Sequence, residues 1–276
     1  MADLSRSWRD YSYVAFDTET SGAYPLGADI VEVGMVKWAN GTEVDTYQTL
    51  LKPRFQMTDF IIGIHGITNE MVAQAPLMKD EIQNILNFMR GSVFMAHHAP
   101  FDMGFLAVDL ERNKLPFPAD PAICTSLLSR KMIPESGNHK LQTLIKHLNL
   151  PQGTAHRALD DARACLQVGL ECMKRMGDAA TLEQVIQKMG KKLEWNSYSL
   201  LANNNSTYQE IVKATELGKD LDIVYEGGSL KGKPRRIKPI GIVRNPDGDY
   251  IRAMCYIDHA EKRFYIGRIS DCQIVY

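Results

Sequence analysis

Apolar and polar positions alternate or cluster in two different ways along this chain. Tyr13 to Glu19 and Ile30 to Trp38 are short runs rich in β-branched and aromatic residues, and Thr46 to Leu51 predicts a third strand. Glu81 to Met89 predicts a helix and Val93 to His97 a short buried strand. Helices are expected over Pro100 to Arg112, Lys140 to Leu148 and Asp160 to Met176. In the last, Ala162, Cys165, Leu166, Gly169, Cys172, Met173 and Met176 recur at spacings of three and four, one helical face. An antiparallel opening followed by helix–strand alternation predicts a mixed-sheet α/β domain. Beyond about residue 178 the pattern changes. Thr181 to Leu193 and Thr207 to Leu217 read as helices, separated by the break Asn203-Asn204-Asn205-Ser206. Strands are then expected over Ile223 to Glu226, Ile237 to Arg244, Tyr250 to Ile257 and Lys262 to Ile269. Asn245-Pro246-Asp247-Gly248 is a hairpin turn signal between two of them. Short strands at this spacing suggest a small barrel or sandwich.

Composition narrows the class. The 276 residues are 45% hydrophobic, enough for a buried core, and at roughly 150 residues per domain they suggest two domains. A net charge of −1 excludes disorder by charge excess and a histone-like tail. The charge is uneven: net −3 over residues 1–176, −1 over 177–218 and +3 over 219–276. The five cysteines are widely spaced without a CxxC pair, which argues against a disulfide framework or zinc site and for a reducing compartment. No apolar run approaches the roughly 18 residues that cross a bilayer. The polar start lacks the apolar stretch of a signal peptide. A soluble cytoplasmic protein with no membrane partner is expected.

Three stretches carry candidate chemistry. In Phe16-Asp17-Thr18-Glu19-Thr20, Asp17 and Glu19 leave one face of a strand about 7 Å apart. Such a pair tolerates its own repulsion when a cation sits between the acids, though a solvated strand face is the commoner reading. In His97-His98-Ala99-Pro100-Phe101-Asp102, Pro100 suits a first helical turn and Asp102 is placed where the helix dipole favours an anion. In His156-Arg157-Ala158-Leu159-Asp160-Asp161-Ala162, five helical residues turn about 500°, so His156 and Asp161 converge only if His156 lies on the lead-in loop. The helix pattern leaves open which aspartate faces a site.

Together FDTET (16–20), HHAPFD (97–102) and HRALDDA (156–162), with His65-Gly66-Ile67-Thr68 between them, resemble the DEDDh (DnaQ-like) exonuclease family over residues 12–175. His98 stands where many of its members have Asn. The resemblance implies a ribonuclease-H-like mixed sheet flanked by helices and selects Asp161. It further implies a two-metal phosphodiesterase that releases nucleoside 5′-monophosphates from the 3′ end. Its metal ligands would be Asp17, Glu19, Asp102 and Asp161, and its general base His156. Oxygen ligands suit two divalent cations, Mg²⁺ or Mn²⁺. Asp17 is then the expected bridging ligand. Glu19 and Asp161 complete the nucleophile-side ion, and Asp102 holds the other through water. Thr18, Thr20, His65, Ile67 and Phe101 are the candidate contacts to the terminal nucleotide, with ordinary packing as the alternative for each.

The basic tail offers a second feature. Gly228-Ser229-Leu230-Lys231-Gly232-Lys233 lacks the spacing of a phosphate loop, and a strand rather than a helix is expected after it. RRIKP (235–239), GDYIRA (248–253) and RFYIGRI (263–269) resemble a degenerate WYL domain, which implies a small SH3-like β-barrel. Lys231, Lys233, Arg235, Arg236, Arg252, Arg263 and Arg268 are its candidate nucleic-acid contacts, against a merely solvated basic face. The expected organisation is an exonuclease domain at 1–176, a helical connector at 177–218 and the basic barrel at 219–276. The leading reading is a 3′–5′ exonuclease acting on DNA or RNA 3′ ends, with replication or repair proteins as candidate partners. The alternative is a nucleic-acid- or nucleotide-responsive regulator that uses the nuclease fold as scaffold.

Overall fold

The structure, a computed structural model, describes residues 3–151, 153–228, 230–244 and 248–276. Two compact units emerge, one of Met1–Ser21 and Ile30–Tyr198, the other of Gly22–Asp29 and Ser199–Tyr276. Neither boundary coincides with those expected from composition. The helical connector is divided between the units, and a short loop far upstream joins the second.

The first unit opens with β1 (Tyr13–Thr20), β2 (Ile30–Ala39) and β3 (Thr42–Leu50), followed by α1 (Asp59–His65), α2 (Asn69–Val72) and α3 (Met78–Met89). After β4 (Val93–Ala96) come α4 (Pro100–Arg112), β5 (Ile123–Cys124), α5 (Thr125–Met132), α6 (Leu141–His147), α7 (Ala158–Met176) and α8 (Leu182–Lys188). The sheet order is β3-β2-β1-β4-β5. β1, β2 and β3 pair antiparallel, whereas β4 and β5 run parallel to β1, so the sheet is mixed as expected. Central β1 is buried along nearly its whole length because helices cover its faces, which explains the unbroken apolar run Tyr13 to Phe16. The apolar stripe of α7 packs on β1 and β2 and buries Ala162, Cys165, Leu166, Gly169, Cys172 and Met173. Thr181 and Gln184 form a capping box that starts α8, which ends five residues before Leu193.

The second unit contains α9 (Ser206–Leu217) and β6 (Asp220–Tyr225), β7 (Pro234–Val243), β8 (Tyr250–Cys255), β9 (Ala260–Tyr265) and β10 (Ile269–Val275). These strands form one antiparallel sheet of order β10-β6-β7-β8-β9, against which α9 packs. Among the described residues no pairing joins β9 to β10, and what the strands form is a five-stranded antiparallel sheet. The expected strand from Lys262 to Ile269 is broken by a 3₁₀ turn over Ile266–Arg268, and β10 follows it. Val243 opposes Tyr250 across β7 and β8. Of the hairpin signal between them, Asn245, Pro246 and Asp247 lie outside the described residues.

The loop Gly22–Asp29 belongs to this sheet's unit although it joins β1 to β2. Leu26 is completely buried, and a Cβ on Gly27 would lie 1.7 Å from the Ile240 carbonyl oxygen. Glycine is therefore required there for the backbones to approach. Among the described residues no helix is long and apolar enough to cross a membrane.

Candidate active site

The carboxyl ends of β1, β4 and β5 lie side by side, the place where open α/β sheets present their binding residues. Asp17 and Glu19 project from one face of β1. Asp17 pairs with Gly34 on β2, and a Cβ at Gly34 would fall 2.1 Å from the Ala158 carbonyl carbon. Only glycine admits that approach, which lays the first turn of α7 onto the sheet and carries Asp161 to the two acids. Asp102 enters from the first turn of α4, opened by Pro100, and accepts a hydrogen bond from Thr18 Oγ1 at 2.9 Å.

Burial and neighbouring charge both act on these acids. Burial, followed by Asp102, Asp161 and Glu19, holds the Asp17 carboxyl well above the usual carboxylate range. Burial and then Asp161, Glu32 and Asp102 push Glu19 up to about 8. Burial pushes Asp102 up to about 7 against the opposing Thr18 hydrogen bond, and burial also raises Asp161. Four acids that resist ionising together are the donor set of a hard divalent cation. One ligand atom each of Glu19, His156 and Asp161 lies within 4.8 Å of the others, close enough to share an ion.

The lead-in to α7 resolves the aspartate ambiguity geometrically. Asp161 is buried and accepts from the His156 N–H at 3.0 Å and from Gln142 Nε2 at 3.2 Å. Asp160 instead accepts from the Thr154 N–H and pairs with Arg163. His156 sits on the loop in a left-handed conformation, exposed, with its ring at the acids.

Glu32 was not anticipated. It opposes Glu19 in the sheet and is wholly buried. Arg157 Nη2 donates to it at 2.7 Å, the Ala158 N–H at 3.1 Å and Gln48 Nε2 at 2.8 Å. Burial raises its pKa, but these donors outweigh burial and leave it below the ordinary value. Glu32 thus fixes the start of α7, and with it His156 and Asp161. Replacing it with glutamine should lower stability by about 2–3 kcal/mol, the cost of losing charged hydrogen bonds to a half-exposed arginine. Urea unfolding measures this loss, and unchanged stability would remove the anchoring role. A lone acid inside the apolar run Ile30 to Val36 was the available signal; nothing in the sequence marked Gln142.

Other expected residues are placed as follows. Thr18 and Thr20 are buried, and Phe101 is half-buried, its ring 5.0 Å from that of Phe105. His65 is buried, which lowers its pKa, and its Nδ1 accepts from the Ile67 N–H at 3.0 Å. Ile67 is completely buried with Val31, Met57 and Val72, so in this conformation it presents no surface to a base. His97 is held between Thr125 Oγ1 and the His139 carbonyl, and burial drops its pKa to about 4. His98 has φ 63°, a conformation that Asn and His tolerate better than most residues.

The tail cations are dispersed in their roles. Arg236 pairs with Asp222 and Arg252 with Glu261. Arg235 is buried over the Phe264 ring. Arg263 lies over Tyr250, Arg268 lies over Tyr265, and Lys231 and Lys233 are exposed.

Comparison with known proteins agrees with this geometry. A family profile described as Exonuclease (RNase_T) matches residues 14–168. A PolC-type DNA polymerase III of Oceanobacillus iheyensis is 30% identical over 207 residues, which is 75% of this chain and 14% of that protein. The PolC-type polymerase of Bacillus subtilis is 29% identical over 77% of the chain and 15% of its own length. The chain therefore spans about a seventh of these relatives. The nuclease domain of 3′hExo bound to rAMP superposes with a TM-score of 0.53 at 19% identity, covering 64% of this chain and 98% of that one. The E. coli ExoI–single-stranded DNA complex gives 0.56 at 15% identity, covering 89% and 55%. These likenesses establish the ribonuclease-H-like nuclease fold. No WYL relationship emerges from them.

Proposed function

The chain belongs to the exonuclease family, and on that premise we propose that it is a 3′–5′ exonuclease dependent on divalent cations. The observation that carries this reading is the convergence of Asp17, Glu19, Asp102 and Asp161 from three separate segments: burial raises the pKa of all four, and Asp102 and Asp161 further raise those of Asp17 and Glu19. Asp17, Glu19, Asp102 and Asp161 would hold two Mg²⁺ or Mn²⁺ ions. When bound, the ions supply charge stabilisation to the attacking and leaving oxygens of the phosphodiester. His156, exposed at the mouth of the cluster, takes the proton of the attacking water as the new phosphorus–oxygen bond forms. The bond to the 3′ oxygen of the preceding nucleotide breaks, that oxygen gains a proton, and a nucleoside 5′-monophosphate leaves. Thr18 fixes Asp102 by its hydrogen bond, while Thr20, His65 and Phe101 border the place of the terminal nucleotide.

The C-terminal sheet is read as an accessory nucleic-acid contact. Arginines stacked on Tyr250 and Tyr265 offer charge to phosphates and rings to bases, and Lys231 and Lys233 are free of acidic partners among the described residues. PolC-type relatives support DNA and a replication setting; 3′hExo bound to rAMP keeps RNA within the substrate class. Oligomers of DNA and RNA labelled at the 5′ end, with Mg²⁺ or with EDTA, test the proposal. Stepwise shortening of the labelled strand only with the cation is the expected result. Cleavage indifferent to EDTA, or release of the 5′ label at the first turnover, would refute it.

A further inference from the structure

A cavity of about 640 Å³ lies beside the acids, outside every role assigned so far. Its walls are the β4–α4 corner, with His97 and His98, helix α5, with Ser126 in its first turn and Arg130 in its last, and the approach to α6, with His139 and Lys140. The register of the parallel strands places it. Phe16 pairs with Ala96 and Ala96 with Cys124, so the residues next along are Asp17, His97 and Thr125. The cavity therefore opens at the same carboxyl ends as the acidic cluster, and the corner that bounds it carries Asp102 four residues after His98.

Its chemistry is the opposite of that cluster's. No carboxylate lines it, whereas an arginine, a lysine and three histidines do. Arg130 and Lys140 are exposed, and neither has an acidic partner among the described residues. The shape is held from behind: His97 bridges Thr125 Oγ1 at 2.9 Å and the His139 carbonyl at 3.0 Å, and His139 Nδ1 meets Ser129 Oγ at 3.1 Å. A rigid recess with two uncommitted cations, on the edge of a site whose own charge repels phosphate, is suited to a second phosphate of the same strand.

We propose that this cavity is a phosphate subsite, in which Arg130 and Lys140 bind a phosphodiester upstream of the bond being cut. The proposal rests on the exonuclease reading and adds a positional requirement to it: the strand must extend at least one phosphate beyond the scissile one. A single-phosphodiester substrate cannot reach the recess.

The test compares thymidine 5′-p-nitrophenyl phosphate, which has only the scissile phosphodiester, with an eight-nucleotide oligothymidylate, both in Mg²⁺. For Arg130→Gln and Lys140→Gln, KM for the oligomer should rise about ten- to hundredfold, the effect of one lost charge-assisted contact, with kcat changed far less. The KM rise on the chromogenic ester should be at least tenfold smaller. The salt dependence of oligomer binding should flatten by about one phosphate equivalent per variant. Arg130→Lys should recover part of the loss, because charge is restored without the planar fork. Equal effects on both substrates, or oligomer KM and salt slope unchanged in both variants, would overturn the subsite and leave the exonuclease reading standing. A parent chain that cleaves neither substrate overturns that reading and the subsite with it.

Discussion

Asp17→Asn should fold normally and cut at least about 10³-fold more slowly, since several kcal/mol of charge stabilisation depend on the group at the centre of the cluster. The same change should raise thermal stability in EDTA, and the direction follows from the raised pKa values. In the folded chain Glu19 ionises at about 8 and Asp102 at about 7, with Asp17 also raised, whereas unfolded carboxyls ionise near 4. The folded form thus binds more protons, and metal-free stability falls as pH climbs from about 4 to 8. Removing one acid relieves part of that repulsion, so the gain from Asp17→Asn should be larger at pH 8 than at pH 5. Mg²⁺ should stabilise the parent most at the alkaline end for the same reason. Melting curves at the two pH values, with EDTA and with Mg²⁺, measure both effects. Retained Mg²⁺-dependent cleavage in Asp17→Asn would contradict its placement at the centre.

His156→Ala should lose about 10²–10⁴-fold in kcat, the usual span of general-base catalysis. Because the imidazole is exposed and only its backbone N–H is tied to Asp161, the fold and the Asp161 contact should survive the change. The pH–rate profile of the variant should differ in shape from the parent's. Activity restored simply by raising the Mg²⁺ concentration would instead assign the ring to cation binding, a role its 4.8 Å grouping with Glu19 and Asp161 also permits. The pH profile and the cation titration together separate the two.

What the sequence disclosed followed from how each element is buried. β1, β2 and β4 are covered by other elements, so their apolar runs stood out, and the stripe of α7 showed its period because one face meets the sheet. β3 was expected to start at Thr46 but starts at Thr42, because an exposed edge strand has no buried face to impose alternation. β5 is two residues long and α5 lacks a side-chain cap, so neither left a periodic signal. The three acidic motifs were visible because site chemistry restricts residue type over a few consecutive positions. Glu32 and Arg157 act through a partner 125 residues away, and only the register that sets Glu32 opposite Glu19 makes that pair intelligible.

The loop Gly22–Asp29 gives the chain no single seam. A cut after Tyr198 would remove the rest of the unit to which Leu26 belongs, leaving that buried side chain in an eight-residue loop between β1 and β2. Among homologous sequences, the length and apolarity of this loop should therefore covary with the presence of the segment equivalent to 199–276. Lineages lacking that segment should show a short polar turn in its place, and a glycine at the position of Gly27 should be kept only where a strand equivalent to β7 is retained to face it.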